Sequence, residues 1–293
     1  MKGLASYVMR GRLQALMVIM AVASSTLVFS TMFCWISAAV VALVTLRKGA
    51  GEGAWLLLWA LLPAGLLLLA YGDSGPLAML LGTAVLAAVL RSTVNLSATV
   101  LVSVVVGGLI GGALLLFSTE FLEQLVGFVS EFLRNMEQQL SQDGNTVTLP
   151  IPTALQIAGM LGLASAVSSV MCLLLARYWQ AALYNPGGFG EEFKALYLSP
   201  ARTAMLVLPA LGIAALGTGY QTWAMIFLVP LSFAGLALVH ARAEVRKRGV
   251  GWLTVFYLAY FILDPVKLVV VIAAIADSWI GFRQRWAKEA SLD

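Results

Sequence analysis

The amino-acid sequence predicts an all-α fold, a polytopic transmembrane helix bundle, and three observations predict it. Of the 293 residues, 61% are hydrophobic and 11% charged, against about 45–50% apolar and about 25% charged in soluble domains. Apolar runs near the length of a bilayer crossing follow one another with short gaps between them. Finally, sixteen of the eighteen Lys and Arg residues fall in alternate gaps. Basic residues gather on the cytoplasmic side of membrane proteins, so this alternation predicts orientation as well as class. No polar linker or Pro/Ser-rich stretch divides the runs, and 1–293 reads as a single integral membrane domain.

Ten apolar segments make up the reading: 13–29, 32–46, 54–70, 76–90, 96–117, 153–176, 204–216, 222–239, 252–263 and 266–280. The first two follow Lys2, Arg10 and Arg12 and could imitate a signal peptide, but apolar residues continue almost to Leu46, which favours two retained spans over a cleaved leader. Arg47 and Lys48 close the second, and Arg91 stands between the fourth and fifth. Arg177, Lys194 and Arg202, then Arg242, Arg246, Lys247 and Arg248, and last Arg283, Arg285 and Lys288 complete the basic set. The opposite gaps contain only Arg134, with Lys267 just past the last of them. Both termini are therefore expected in the cytoplasm. The stretch 252–280 is too long for one perpendicular helix and has basic clusters at both ends, so a break at Asp264-Pro265 is expected. Eight complete spans plus a re-entrant pair is the alternative to ten.

Small residues indicate where helices approach. Gly107, Gly108, Gly111 and Gly112 form two overlapping small-xxx-small pairs, and Gly159, Gly162 and Ala166 extend a similar face on the next span. Two segments leave the membrane. An amphipathic helix is expected near 119–143 on the outer side, with Phe121, Leu125, Phe128, Phe132, Met136 and Leu140 on one face and Glu120, Glu123, Glu131, Arg134 and Glu137 between them. A cytoplasmic interfacial segment is expected near 178–199, with rings at Tyr178, Trp179, Tyr184, Phe189, Phe193 and Tyr197 suited to the headgroup layer. Within it Asn185, Pro186, Gly187 and Gly188 signal a turn ahead of a short helix with Glu192 and Phe193. Its glycines do not make a phosphate loop, because no Lys-Ser/Thr pair and no βαβ unit accompany them.

The stretch Asn185 to Phe193, followed by Asp277-Ser278-Trp279-Ile280-Gly281-Phe282-Arg283, resembles the YybS-like family of bacterial multi-pass membrane proteins, whose function is not established. The resemblance covers the C-terminal half best. It implies a bacterial cytoplasmic (inner) membrane protein, distantly similar to the S components that capture small molecules in energy-coupling-factor importers. No S-component ligand residue carries over to this chain.

Chemistry-bearing groups are few. Asp264 and Lys267 form a candidate intramembrane polar site, with a structural ion pair across the helix break as the plainer account. Asp277, Trp279 and Arg283 read as a C-terminal anchor at the interface. His240 has no catalytic company nearby, Cys34 and Cys172 read as buried small hydrophobes, and the hydroxyls of Ser24, Ser25, Thr26, Ser30 and Thr31 read as backbone partners. The Asn95-Leu96-Ser97 glycosylation match falls on the cytoplasmic side and carries no weight. No metal site, catalytic residue or cofactor is expected. The expected partners are the lipid bilayer, other membrane subunits or an ATPase module, and an unidentified small molecule, with no nucleic acid. The expectation is a non-enzymatic solute-binding or transport-associated component, the rival being a structural or regulatory scaffold that docks partner proteins. A solute binder should enclose converging polar groups, whereas a scaffold should be packed solid.

Overall fold

The computed structural model describes residues 2–29, 34–141 and 148–290, which are helical with no strand among them. The helices are α1 (Lys2–Arg10), α2 (Arg12–Phe29), α3 (Cys34–Lys48), α4 (Ala50–Tyr71), α5 (Gly75–Thr93), α6 (Leu96–Phe117), α7 (Thr119–Leu140), α8 (Ala154–Tyr184), α9 (Gly188–Lys194) and α10 (Pro200–Ala214). A 3-10 turn (Thr218–Tyr220) leads into α11 (Gln221–Val245), and α12 (Val250–Ile262), α13 (Asp264–Ile280) and α14 (Phe282–Ala290) complete the chain. The side chains at 25–33 and the segment 142–147 fall outside this description, and with them most of the expected hydroxyl band and the start of the extended return at 145–152. Ser24 does bond its own helix, donating to the Met20 carbonyl at 2.8 Å.

Five helices are long and apolar enough to cross a membrane: α4, α5, α6, α8, and α11 together with its preceding turn. Counting α12 and α13 as one broken span makes six. Each of the ten expected segments is helix over most of its described residues, but α3, α10, α12 and α13 are shorter than this standard, as is the part of α2 described with its side chains, Arg12–Ser24, so eight to ten crossings are not established by length and apolarity. At 1.5 Å per residue the 15 residues of α3 reach about 22 Å, against about 30 Å of hydrocarbon.

The short α3 lies at the centre. Every residue from Ser37 to Leu46 is buried, and α2, α4, α5 and α8 pack around it. Lipid tails are as apolar as Leu, so close packing and not apolar burial holds such helices together. Between α6 and α8 the glycines permit it. A Cβ on Gly107 would lie 2.8 Å from the Gly162 carbonyl oxygen, and one on Gly111 would lie 2.9 Å from that of Ala158. Gly108 and Gly112 face open space, so only one of the two overlapping pairs is used inside the bundle.

Helix ends follow local signals. The Asn95 side chain accepts from the Ala98 backbone N–H at 2.9 Å and caps α6. Thr153 and Gln156 form a capping box at the start of α8. That helix runs 31 residues, about 46 Å, and extends past the expected end at 176 as far as Tyr184. The reason is local: no breaker precedes Asn185-Pro186, so the aromatic start of the expected interfacial segment continues the span as helix.

The gaps sort onto two faces. On the first, Arg12 pairs with Glu52, Arg91 bonds the Leu46 carbonyl, Arg47 lies over the Tyr184 ring, Lys194 pairs with Glu244, and Arg242 lies over Trp286. These contacts join all six basic segments. On the other, Gln156 donates to the Thr218 carbonyl and Trp223 to that of Leu155, while Phe121 of α7 sits against Gly72. The six basic gaps are thus gathered at one end of the bundle, and among the described residues the gaps at 71–75, 148–152 and 217–221 have contacts of their own. The helix α7 buries only Leu122 and leaves Phe128 and Phe132 exposed, as an amphipathic helix outside the bundle does.

Candidate functional site

The basic face is organised by the overhang of α8. Past the Asn185 cap the chain reverses at Gly187, whose φ of +94° lies in the left-handed region that favours glycine. It then folds back as α9 along α8 and α11. Glu192 returns to Arg177, accepting from its Nε at 3.0 Å and from a second guanidinium nitrogen. Gln180 takes the remaining amino group of Arg177. Leu196 and Leu198 anchor the following strap in the core, and between them the Tyr197 backbone N–H donates to Ser97 at 3.2 Å.

The C-terminal anchor docks on this strap. Gly281 ends α13 with φ +65°, which brings Arg283 back so that its Nε lies 3.3 Å from Asp277 Oδ2, with the two side chains 19% and 4% exposed. The same guanidinium donates to the Lys194 carbonyl at 2.7 Å and to that of Ala234 at 3.4 Å. Burial pulls the Arg283 guanidinium below its ordinary value, and Asp277 works against that. Tyr197 adds a second tie, its hydroxyl donating to the Ser278 carbonyl at 2.9 Å. Trp279 is 58% exposed and points away from the junction, as a headgroup-level anchor would.

Aromatic contacts extend the platform. Phe189 stacks on Phe193 at 6.0 Å, Phe193 meets the His240 ring edge-on at 5.5 Å, and His240 Nε2 lies 2.8 Å from the Tyr257 hydroxyl. The lone histidine, without company in the sequence, therefore joins α9, α11 and α12. Asn185, Pro186 and Gly187 form the exposed turn itself.

The Asp264–Lys267 pair forms at 2.8 Å, with the side chains 91% and 44% exposed. It sits where α12 and α13 meet at a 110° bend, away from both hollows that stand out in the bundle. One of these, between Ile19, Cys34, Ala60 and Leu80, has about 20 Å³ and apolar walls, room for about one water. The other has about 260 Å³ and opens on the basic face between Leu46, Leu90, Arg91, Arg177, Gln180 and Glu192. The sequence reading did not single out Arg91, Gln180 or Glu244 as site residues. A signal for Arg91 exists, since it is the only charge in the gap it occupies.

The arrangement can therefore hold a rigid, charged surface at one end of a packed bundle. No protein-family model, curated protein or solved structure matches this chain.

Proposed function

We propose that the chain is a non-enzymatic multi-pass component of a bacterial inner membrane, in which the basic face is cytoplasmic and the platform of α9, the 195–199 strap and α14 docks a partner protein. One observation carries the reading. The two stretches that carry the YybS-like resemblance are brought together where Arg283, at the end of one, grips the carbonyl of Lys194, the residue after the other. The charged groups there are spent on fixing backbone, as suits a preorganised surface better than a turnover site. Tyr178, Tyr184 and Tyr197 stay exposed around it, and such rings are common at protein interfaces.

The solute-capturing form of the expectation would gather polar groups around a cavity inside the bundle, whereas the hollow beside α3 has about 20 Å³, the buried Ser37, Thr45, Thr83 and Ser169 are packed among apolar side chains, and α6 touches α8 through glycine. A regulatory or transport-associated subunit fits this packing better than a carrier. In the same reading the short helices α2, α3 and α10 complete the threading to eight to ten crossings, with both termini inside.

Two measurements test this. A reporter inserted after Thr148 should be active only outside the cytoplasm; cytoplasmic activity would end the topological reading. A photo-crosslinker at Phe189 should give a defined protein adduct that Arg283→Ala removes, while the same group at lipid-facing Leu109 should give none. Adducts equal at both positions, or unaffected by Arg283→Ala, would count against docking.

A further inference from the structure

The hollow on the basic face goes beyond partner docking. Arg91, at the end of α5, spends Nη1 on the last carbonyls of α3, donating to Thr45 at 3.2 Å and Leu46 at 2.8 Å. Its charge meets no carboxylate among the described residues. Across the hollow stands Arg177, held in place by Glu192 and Gln180. Two guanidiniums thus face one carboxylate, and that carboxylate is already engaged by Arg177. The C-termini of α3 and α5 bring partial negative charge to the same place. Arg91, together with Arg47 and Lys48 at the end of α3, outweighs it.

The guanidinium fork matches phosphate oxygens, and donors already held by protein contacts lose little freedom on binding. Size narrows the choice. About 260 Å³ in a hollow open to the surface falls below the range of about 300–1,000 Å³ for pockets that enclose drug-sized ligands, so the hollow itself suits a single phosphate-bearing group. Position narrows it too. The 19 residues of α5 span about 28 Å, so where α5 crosses a bilayer Arg91 lies near the edge of the hydrocarbon, within side-chain reach of the headgroups.

A further observation marks the same rim. Val94 has φ +50° and is 85% exposed. The residue is the left-handed cap that ends α5, its backbone N–H donating to the Leu90 carbonyl at 2.9 Å. Its isopropyl group, with Leu46 and Leu90, gives the hollow an apolar edge beside its cations.

We propose that this hollow binds a phosphate group, gripped by Arg91 and Arg177, from either a phospholipid headgroup or a soluble phosphate. The inference does not rest on the docking reading: Glu192 of α9 belongs to both the platform and the hollow, but a phosphate between Arg91 and Arg177 requires no partner protein.

The test uses the full chain in a maltoside detergent, which carries no phosphate. Its unfolding midpoint is followed against inorganic phosphate at constant ionic strength, and separately against phosphatidylglycerol, with chloride and a neutral glycolipid as controls. A rise with phosphatidylglycerol alone identifies the headgroup; a rise with inorganic phosphate identifies the soluble source. In either case Arg91→Gln should weaken the apparent affinity by about tenfold or more, and Lys267→Gln, which does not line the hollow, should leave it unchanged. Since Arg91 also caps α3, Val94→Glu serves as the second variant: it adds a repelling carboxylate at the exposed rim and should weaken binding as well. No rise with either probe, or a rise that both Arg91→Gln and Val94→Glu retain, overturns the proposal.

Discussion

Arg283 donates to the backbone carbonyl of Lys194 at 2.7 Å across 89 residues of sequence. The same side chain closes an ion pair with Asp277, six residues earlier and across the break at Gly281. A single guanidinium thus neutralises the last turn of α13 and fastens it to the strap after α9. Arg283→Ala would leave the Asp277 carboxylate buried beside nothing positive, and the cost expected for such a break is about 3 kcal/mol. The double variant Asp277→Asn/Arg283→Gln should recover part of that loss, because no lone charge remains. Thermal unfolding of the detergent-extracted chain measures both. Equal losses in the single and double variants would show that the pair is not what holds the junction.

The glycines of α6 divide by what they face. Gly107→Ala puts a methyl group 2.8 Å from the Gly162 carbonyl oxygen, and a forced separation of α6 from α8 should cost about 1–3 kcal/mol. Gly112→Ala meets nothing within 4 Å and should gain up to about 1 kcal/mol from helix propensity. Opposite signs in the two unfolding midpoints are the expected result. If Gly112→Ala destabilised as much as Gly107→Ala, the open side of α6 would have to be occupied in the membrane.

Much of this was legible before any coordinates. All ten apolar segments are helix over most of their described residues, and α6 begins and ends where the run 96–117 does. The sidedness of the gaps shows in the contacts that join Arg12, Arg47, Arg91, Lys194 and Arg242 to neighbouring basic segments. What the pattern could not separate is the centre of the bundle from its edge. The helix α3 is buried through most of its length and α12 buries none of its residues, yet both are apolar all round, and a moment without an asymmetry carries no direction. The end of α8 was misplaced because Arg177 to Tyr184 has the composition of an interface while containing no helix breaker. The anchor residues Asp277 and Arg283 were found as a local pair, but their grip on Lys194, like that of Arg91 on Leu46, is non-local and leaves no trace in spacing.

Asp264 and Lys267 offer a contrast with the buried junction. Their side chains are 91% and 44% exposed, and exposed pairs of this kind contribute little to stability. Lys267→Gln should therefore change the unfolding midpoint little in detergent, and less still at high salt. A loss comparable to that of Arg283→Ala would mean that the bend between α12 and α13 is enclosed in the membrane and that the pair serves there as a true intramembrane site.

The last tie concerns α12, which has no buried residue of its own and meets α13 at a 110° bend. Such a helix owes its position to α13 and to two polar contacts with α11, that of Tyr257 with His240 at 2.8 Å and that of Tyr260 with Ser232. Tyr257→Phe removes the hydroxyl while keeping the ring, and His240→Phe removes the other partner while keeping a ring against Phe193. Each should cost about 1 kcal/mol, the usual magnitude for one such bond between membrane helices. Spin labels at Leu258 on α12 and Leu208 on α10, both exposed, should report a broader distance distribution in each variant. The double variant should be no broader than either single, because one bond can be lost only once. Additive broadening would assign the two side chains separate partners, and α12 would then be held by its aromatic faces instead.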